Sequence, residues 1–161
     1  MKTSLLAGLV FGALGLMAQD DHHAAVDKRG DHVMGFSHEK TTHHFRLYAD
    51  GGAIEVIAND SKDTESLDQI RMHLSHIAGM FAAGNFEAPM LIHDQVPPGV
   101  PTLQRLKADV SYRFEQIPDG GRVRIATKNK EALSAVHEFL KFQISDHHTG
   151  DTLDVTKEAA K

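Results

Sequence analysis

Two stretches of alternating hydrophobic and polar residues stand out along the chain, and each is interrupted by an Asp-Gly-Gly triplet. The first stretch is Phe45–Ala58 and the second is Tyr112–Ala126. Strict alternation is typical of a strand with one buried face, and Asp and Gly are favoured in the tight turns between paired strands. Each stretch therefore predicts a β-hairpin.

A helical pattern follows each hairpin. Its apolar residues recur at steps of three and four, as they do on one face of an amphipathic α-helix. Asn129 is expected to cap the second helix, and Gly84 is expected to end the first. The apolar positions are Leu67, Ile70, Leu74, Ile77 and Phe81 in the first pattern, and Leu133, Val136, Leu140 and Ile144 in the second.

The order strand, strand, helix thus occurs twice, which predicts a single α+β domain over residues 40–149. We expect a four-stranded antiparallel sheet with the two helices packed on one face. The connection between the repeats contains a short apolar run, Met90–His93, which is either an edge strand or a strand end. The prolines of Pro97–Pro101 indicate an extended connector.

The two ends of the chain have a different character. Lys2 and the apolar run Leu5–Leu16 predict a secretory signal peptide over residues 1–19. The run is shorter than the roughly 20 residues that a membrane span needs. Residues 20–39 are expected to form a mobile, histidine-rich arm and residues 150–161 a polar tail. These features predict a periplasmic or secreted protein with no membrane insertion after signal cleavage.

Composition narrows the function classes. The net charge of −5 argues against a nucleic-acid partner, and the lack of cysteine excludes disulfide and thiolate chemistry. The chain contains none of the common nucleophile-elbow, phosphate-loop or His-Glu-x-x-His motifs. Twelve histidines are nevertheless present. A metal ion is therefore the expected partner, with another exported protein as a further candidate.

The first predicted helix carries the clearest candidate site. Met72, His73, His76 and Met80 lie on one stripe beside its apolar face. Imidazole and thioether donors together favour copper, with zinc or haem as alternatives. The alternative without a metal is that the methionines border the core while the histidines lie in water.

A second candidate cluster precedes the first hairpin and contains Met34, His38, His43 and His44. Neighbouring strand residues point to opposite faces, so only one of His43 and His44 easily serves a given site. His93, which stands beside Asp94, is either a ligand or a strand end.

The histidines near the second helix have a structural interpretation instead. His137 adjoins the apolar stripe of that helix, and His147 and His148 follow its last turn. Imidazolium groups at a helix carboxyl end interact favourably with the helix dipole, so we expect capping there.

Several segments resemble a group of small exported bacterial proteins of unassigned activity. They are Asp31–Phe36, Thr41–Phe45, Gly51-Gly52 and Pro97–Pro101. Some proteins of this kind are labelled aspartate carbamoyltransferase, but the Ser-Thr-Arg-Thr phosphate loop of that enzyme does not occur in this sequence. The resemblance implies export and one compact domain, and no mechanism.

The sequence as a whole predicts an exported, metal-binding protein that carries or buffers copper. A non-enzymatic interaction module of the periplasm and a metal-dependent hydrolase are the alternatives. Since metal-binding imidazoles must be neutral, we expect ion affinity to fall below about pH 6.

Overall fold

The computed structural model describes residues 13–157, with side chains from residue 24 onward. This part of the chain contains five α-helices and one four-stranded sheet. The elements are α1 (Ala13–Met34), β1 (Thr41–Tyr48), β2 (Gly51–Ala58), α2 (Thr64–Ala82), α3 (Glu87–His93), α4 (Val100–Arg105), β3 (Val110–Ile117), β4 (Gly120–Thr127) and α5 (Lys130–Asp146).

The sheet has the order β1-β2-β4-β3, and all neighbouring strands are antiparallel. Both predicted hairpins and the α+β class are therefore confirmed. The first glycine of each Asp-Gly-Gly triplet lets the two central strands approach each other. A Cβ atom at Gly51 would lie 2.1 Å from the carbonyl oxygen of Ile125, and one at Gly120 would lie 2.0 Å from that of Val56. A larger residue at either position would push β2 and β4 apart.

The core lies between one face of the sheet and helices α2 and α5. All five apolar residues predicted for α2 are buried, and so are Val136, Leu140 and Ile144 of α5, whereas Leu133 is partly exposed. Helix α2 packs mainly on β3 and β4, while α5 packs on β1, β2 and β4. Each helix thus lies against strands of the other repeat, so the two repeats interlock.

The caps that the sequence predicts are in place. The side-chain oxygen of Asn129 accepts hydrogen bonds from the backbone N–H groups of Glu131 and Ala132, at 2.9 and 3.2 Å. Helix α2 ends at Ala82, and Gly84 follows with a φ of +81°, a backbone conformation that favours glycine. These local signals fix where both long helices begin or end.

The prediction of an edge strand at Met90–His93 is wrong, because these residues belong to the short helix α3. Its third residue, Pro89, is tolerated because the first turn of a helix does not need that N–H group. The buried face of α3 includes Ala88, Pro89 and Ile92. A run of four apolar residues is too short to distinguish a strand from a helix by its period.

Both ends make contacts that the sequence did not predict. Within residues 20–39, where a mobile arm is expected, the chain is helical as far as Met34 and Val26 is buried. Arg29 of α1 donates from Nε to the carbonyl oxygen of Ile92 at 2.6 Å. In the expected polar tail, Thr156 forms a parallel bridge with Tyr48 on the outer edge of β1.

Most of the predicted signal peptide, residues 1–19, lies outside the described residues, and α1 begins within it at Ala13. Across the part of the chain that the structure describes, none of the helices combines the length and the apolar character that crossing a membrane requires.

Candidate functional site

A small pocket, which we call the inner pocket, lies where the sheet, α2, α3 and α5 meet. Its volume is about 60 Å³. Its floor is apolar and formed by buried side chains, and four side chains able to donate to a metal stand at its rim. The floor includes Phe45, Ile54, Val56, Leu74, Ile77, Phe81 and Phe139, and the rim donors are Met34, His43, His73 and His147.

The four rim donors come from four different parts of the fold. Met34 ends α1, His43 lies in β1, His73 lies in α2, and His147 is the carboxyl cap of α5. All four are partly buried. His43 reaches the pocket because the strand alternation places it on the same face as Phe45, as the sequence predicts.

The aromatic rings at the rim are in contact with one another. The Phe36 ring stacks on His43 with centroids 6.0 Å apart, and it meets His73 edge-on at 5.5 Å. The His147 ring also stacks on the His43 ring, with their centroids 6.0 Å apart. Phe36 is itself buried, so both imidazoles pack against the apolar interior on this side.

Burial keeps two of these imidazoles neutral. Desolvation lowers the pKa of His43 to about 4, with further contributions from the nearby His73 and His44. Desolvation and the neighbouring His76 lower the pKa of His73 to about 4. A neutral imidazole is the form that binds a metal ion. These two imidazoles therefore stay neutral down to about pH 4, below the value of about 6 at which protonation is expected from the sequence.

His93 has a structural role in this arrangement. It is buried, and its Nδ1 lies 2.5 Å from a carboxylate oxygen of Asp146 while its Nε2 lies 2.9 Å from Oε1 of Gln143. With both ring nitrogens engaged, His93 has no nitrogen left for a metal ion. The network ties α3 to α5 instead.

The hydrogen bond to His93 satisfies only the oxygen of the Gln143 side-chain amide. Gln143 is buried and lines the inner pocket, and its Nε2 nitrogen has no hydrogen-bond partner among the described residues. A buried donor without a partner is uncommon and costly. The pocket therefore offers one hydrogen-bond donor beside the imidazoles.

A second cavity, which we call the outer groove, lies on the other side of His73. It has a volume of about 200 Å³ and lies between α1, α2 and α3. His73, His76 and Met80 all line it, so the structure brings together three of the four helix residues that the sequence singled out. Met72 does not join them, since it is 72% exposed and lines neither cavity.

His44 lies away from both cavities. It is on the opposite face of the sheet, where its Nδ1 is 3.0 Å from the carboxylate of Asp151. The same carboxylate accepts hydrogen bonds from the backbone N–H of Phe45 and from Arg46. His44 therefore holds the C-terminal segment against β1 and does not reach the inner pocket.

Sequence reasoning did not predict that His147 and Gln143 would reach a pocket. His147 occupies the carboxyl-cap position of α5, and its side chain also lines the inner pocket. Gln143 sits one turn before it on the buried face of the helix. Their places depend on where α5 ends relative to β1 and α3, and no local pattern in the sequence reports such a distant relationship.

Two observations limit what the site can hold. Among the described residues, no three histidine, aspartate or glutamate side chains are grouped closely enough to bind a metal ion by themselves. A metal site among these residues must therefore either include a methionine ligand or use fewer than three histidine and carboxylate ligands. The inner pocket, at about 60 Å³, is also far below the roughly 300–1,000 Å³ of typical cofactor pockets, which does not fit haem.

Comparisons of the chain with known protein families, with curated proteins and with solved structures find no significant match.

Proposed function

We propose that this protein is an exported copper carrier or buffer that binds Cu(I) at the inner pocket through His43, His73 and Met34. The observation that carries the proposal is the meeting of two neutral imidazoles and one thioether at the rim of an apolar pocket. Each donor comes from a different element, so the site depends on the folded chain.

The donor set favours copper over zinc. Thioether sulfur is a soft ligand that suits Cu(I), and imidazole binds copper well. Zinc sites in proteins take four ligands in structural sites, or three plus a water in catalytic sites, from cysteine, histidine and carboxylates. The inner pocket lacks a carboxylate and the chain lacks cysteine. Two nitrogens and one sulfur are a sufficient shell for Cu(I) but an incomplete one for zinc.

The exposure of the donors favours a carrier over a permanent structural site. Met34, His43 and His73 are each partly exposed, so a partner's ligands have access to the ion. Neutral ligands also release an ion more readily than thiolates do. Export is part of the same proposal, since it is supported by the signal-like residues 1–19.

The test is a Cu(I) titration in competition with a chromogenic chelator, using the unmodified chain and single variants. His43→Ala and His73→Ala should each weaken Cu(I) affinity by on the order of 100-fold, because loss of a ligand costs at least as much as loss of a supporting side chain. His32→Ala, which changes an exposed histidine of α1, is the matched control and should leave the affinity unchanged. Equal affinities in all four proteins would overturn the proposal and leave an interaction module as the alternative.

A further inference from the structure

We propose that the outer groove is the port through which copper reaches the inner pocket, with His76 and Met80 as a first, exposed binding site. This inference rests on the proposed function and adds a route to it. It assigns different roles to two sets of donors, one set for capture and one for retention.

The two cavities share one wall. His73, Ile77 and Ala88 line both of them. His73 is the one imidazole in that shared set, and it lines the inner pocket together with His43 and the outer groove together with His76. Its imidazole is therefore placed to hold an ion that has not yet left one set of donors while it joins the next.

The outer donors are suited to capture. His76 is exposed and Met80 is partly exposed, and they are four residues apart, so their side chains lie next to each other on α2. Glu87 of α3, also exposed, lines the same groove. Its carboxylate adds a negative charge at the mouth, which raises the local concentration of cations.

The buried ring of Phe36 packs against both His43 and His73 and so limits how far these two imidazoles can move. Movement through the groove requires only ligand exchange: the ion stays Cu(I), keeps His73 throughout, and replaces His76 and Met80 by His43 and Met34. No electron or proton is transferred in that exchange.

The test compares rates with equilibria. Cu(I) is supplied as its bicinchoninate complex, and its withdrawal by the full chain is followed by stopped-flow absorbance. The double variant His76→Ala/Met80→Leu should load roughly tenfold more slowly, the equivalent of about 1.4 kcal/mol in activation free energy. Its equilibrium dissociation constant should stay within about threefold of the unmodified value.

Met72→Leu is the matched control, because Met72 is exposed on the same helix and lines neither cavity. It should leave the rate unchanged. In addition, Glu87→Gln should slow loading at low ionic strength and lose its effect in high salt, since exposed charges are then screened.

Three results would count against the port. An unchanged loading rate in the double variant would mean that copper enters elsewhere. An affinity loss as large as that of His43→Ala would mean that the groove is itself the retention site. Failure of the unmodified chain to take copper at all would instead overturn the proposed function.

Discussion

The adjacent pair His43 and His44 shows how much depends on the position of a single residue in the strand. The alternation of β1 turns His43 toward the helices and His44 toward Asp151 on the other face. Burial then lowers the pKa of His43 to about 4. Two chemically identical side chains thus acquire different roles, one as a candidate ligand and the other as a structural partner.

The lowered pKa values of His43 and His73 predict how stability changes with pH. Both histidines have a folded pKa of about 4, below the usual 6.5, so between these values the unfolded chain binds more protons than the folded one. The free energy of unfolding should therefore decrease as the pH falls from 6.5 to 4, by at most about 1.4 kcal/mol per pH unit for each histidine. Urea unfolding at pH 7, 5.5 and 4.5 measures this slope.

The double variant His43→Gln/His73→Gln isolates that effect, because glutamine keeps polarity and does not titrate. Its stability should change less over the same range. His38 contributes with the opposite sign, since its hydrogen bond to Asp31 raises its pKa and its contribution is lost as the pH rises. An identical slope in the variant and the unmodified chain would show that other groups control the pH response.

At the same scale, local sequence patterns were enough to predict that some of the candidate side chains lie together. The alternation around His43 and the helical stripe of His73, His76 and Met80 were local patterns, and the structure places these residues on the two cavities. Met72 lies outside both cavities, because a helical wheel gives the direction of a side chain but not the width of the groove. The hydrogen bonds of His93 could not be predicted from the local sequence, because their partners lie 50 and 53 residues away.

At the scale of elements, the short helix α3 contributes Ala88 to the wall that the two cavities share, and buried polar contacts tie α3 to α5. His93→Leu would leave Asp146 and Gln143 without their shared partner, and breaking a buried pair in this way costs about 3–5 kcal/mol. Urea unfolding should show a loss of this order. His32→Leu is the control and should stay within about 0.5 kcal/mol, as expected for an exposed site. A loss below about 1 kcal/mol for His93→Leu would contradict this role.

The C-terminal segment that contains Asp151 also makes structural contacts that the sequence did not predict. Burial alone would raise the pKa of Asp151, but hydrogen bonds from the Phe45 N–H, Thr149 and His44, together with Arg46, outweigh it and hold the pKa low. The carboxylate therefore attaches this segment to the outer edge of β1. A polar composition does not reveal a contact of this kind, because its partners lie more than 100 residues earlier.

Asp151→Ala should accordingly destabilise the protein by about 2–3 kcal/mol, since it removes a charged acceptor from several donors, one of them a backbone N–H. Asp154→Ala in the same segment is the matched control, because that residue is exposed. Thermal or urea unfolding compares the two. Equal stabilities would show that the segment contributes little to holding β1.

For the whole molecule, the repeat explains why the fold was predictable and the site was not. Periodicity alone gave both hairpins, both long helices and the α+β class, because each is encoded within about 20 residues. The inner pocket arises where α2 and α5 of the interlocked repeats meet α3 and the end of α1. Such a site depends on packing between distant segments, which hydrophobic periodicity does not describe.

The most direct measurement is X-ray absorption at the copper edge on the chain loaded with less than one equivalent of Cu(I). The account predicts a shell of imidazole nitrogen and one sulfur, and the sulfur should disappear in Met34→Leu and persist in Met72→Leu. A shell without sulfur, or a sulfur that survives Met34→Leu, would contradict a site built from Met34, His43 and His73.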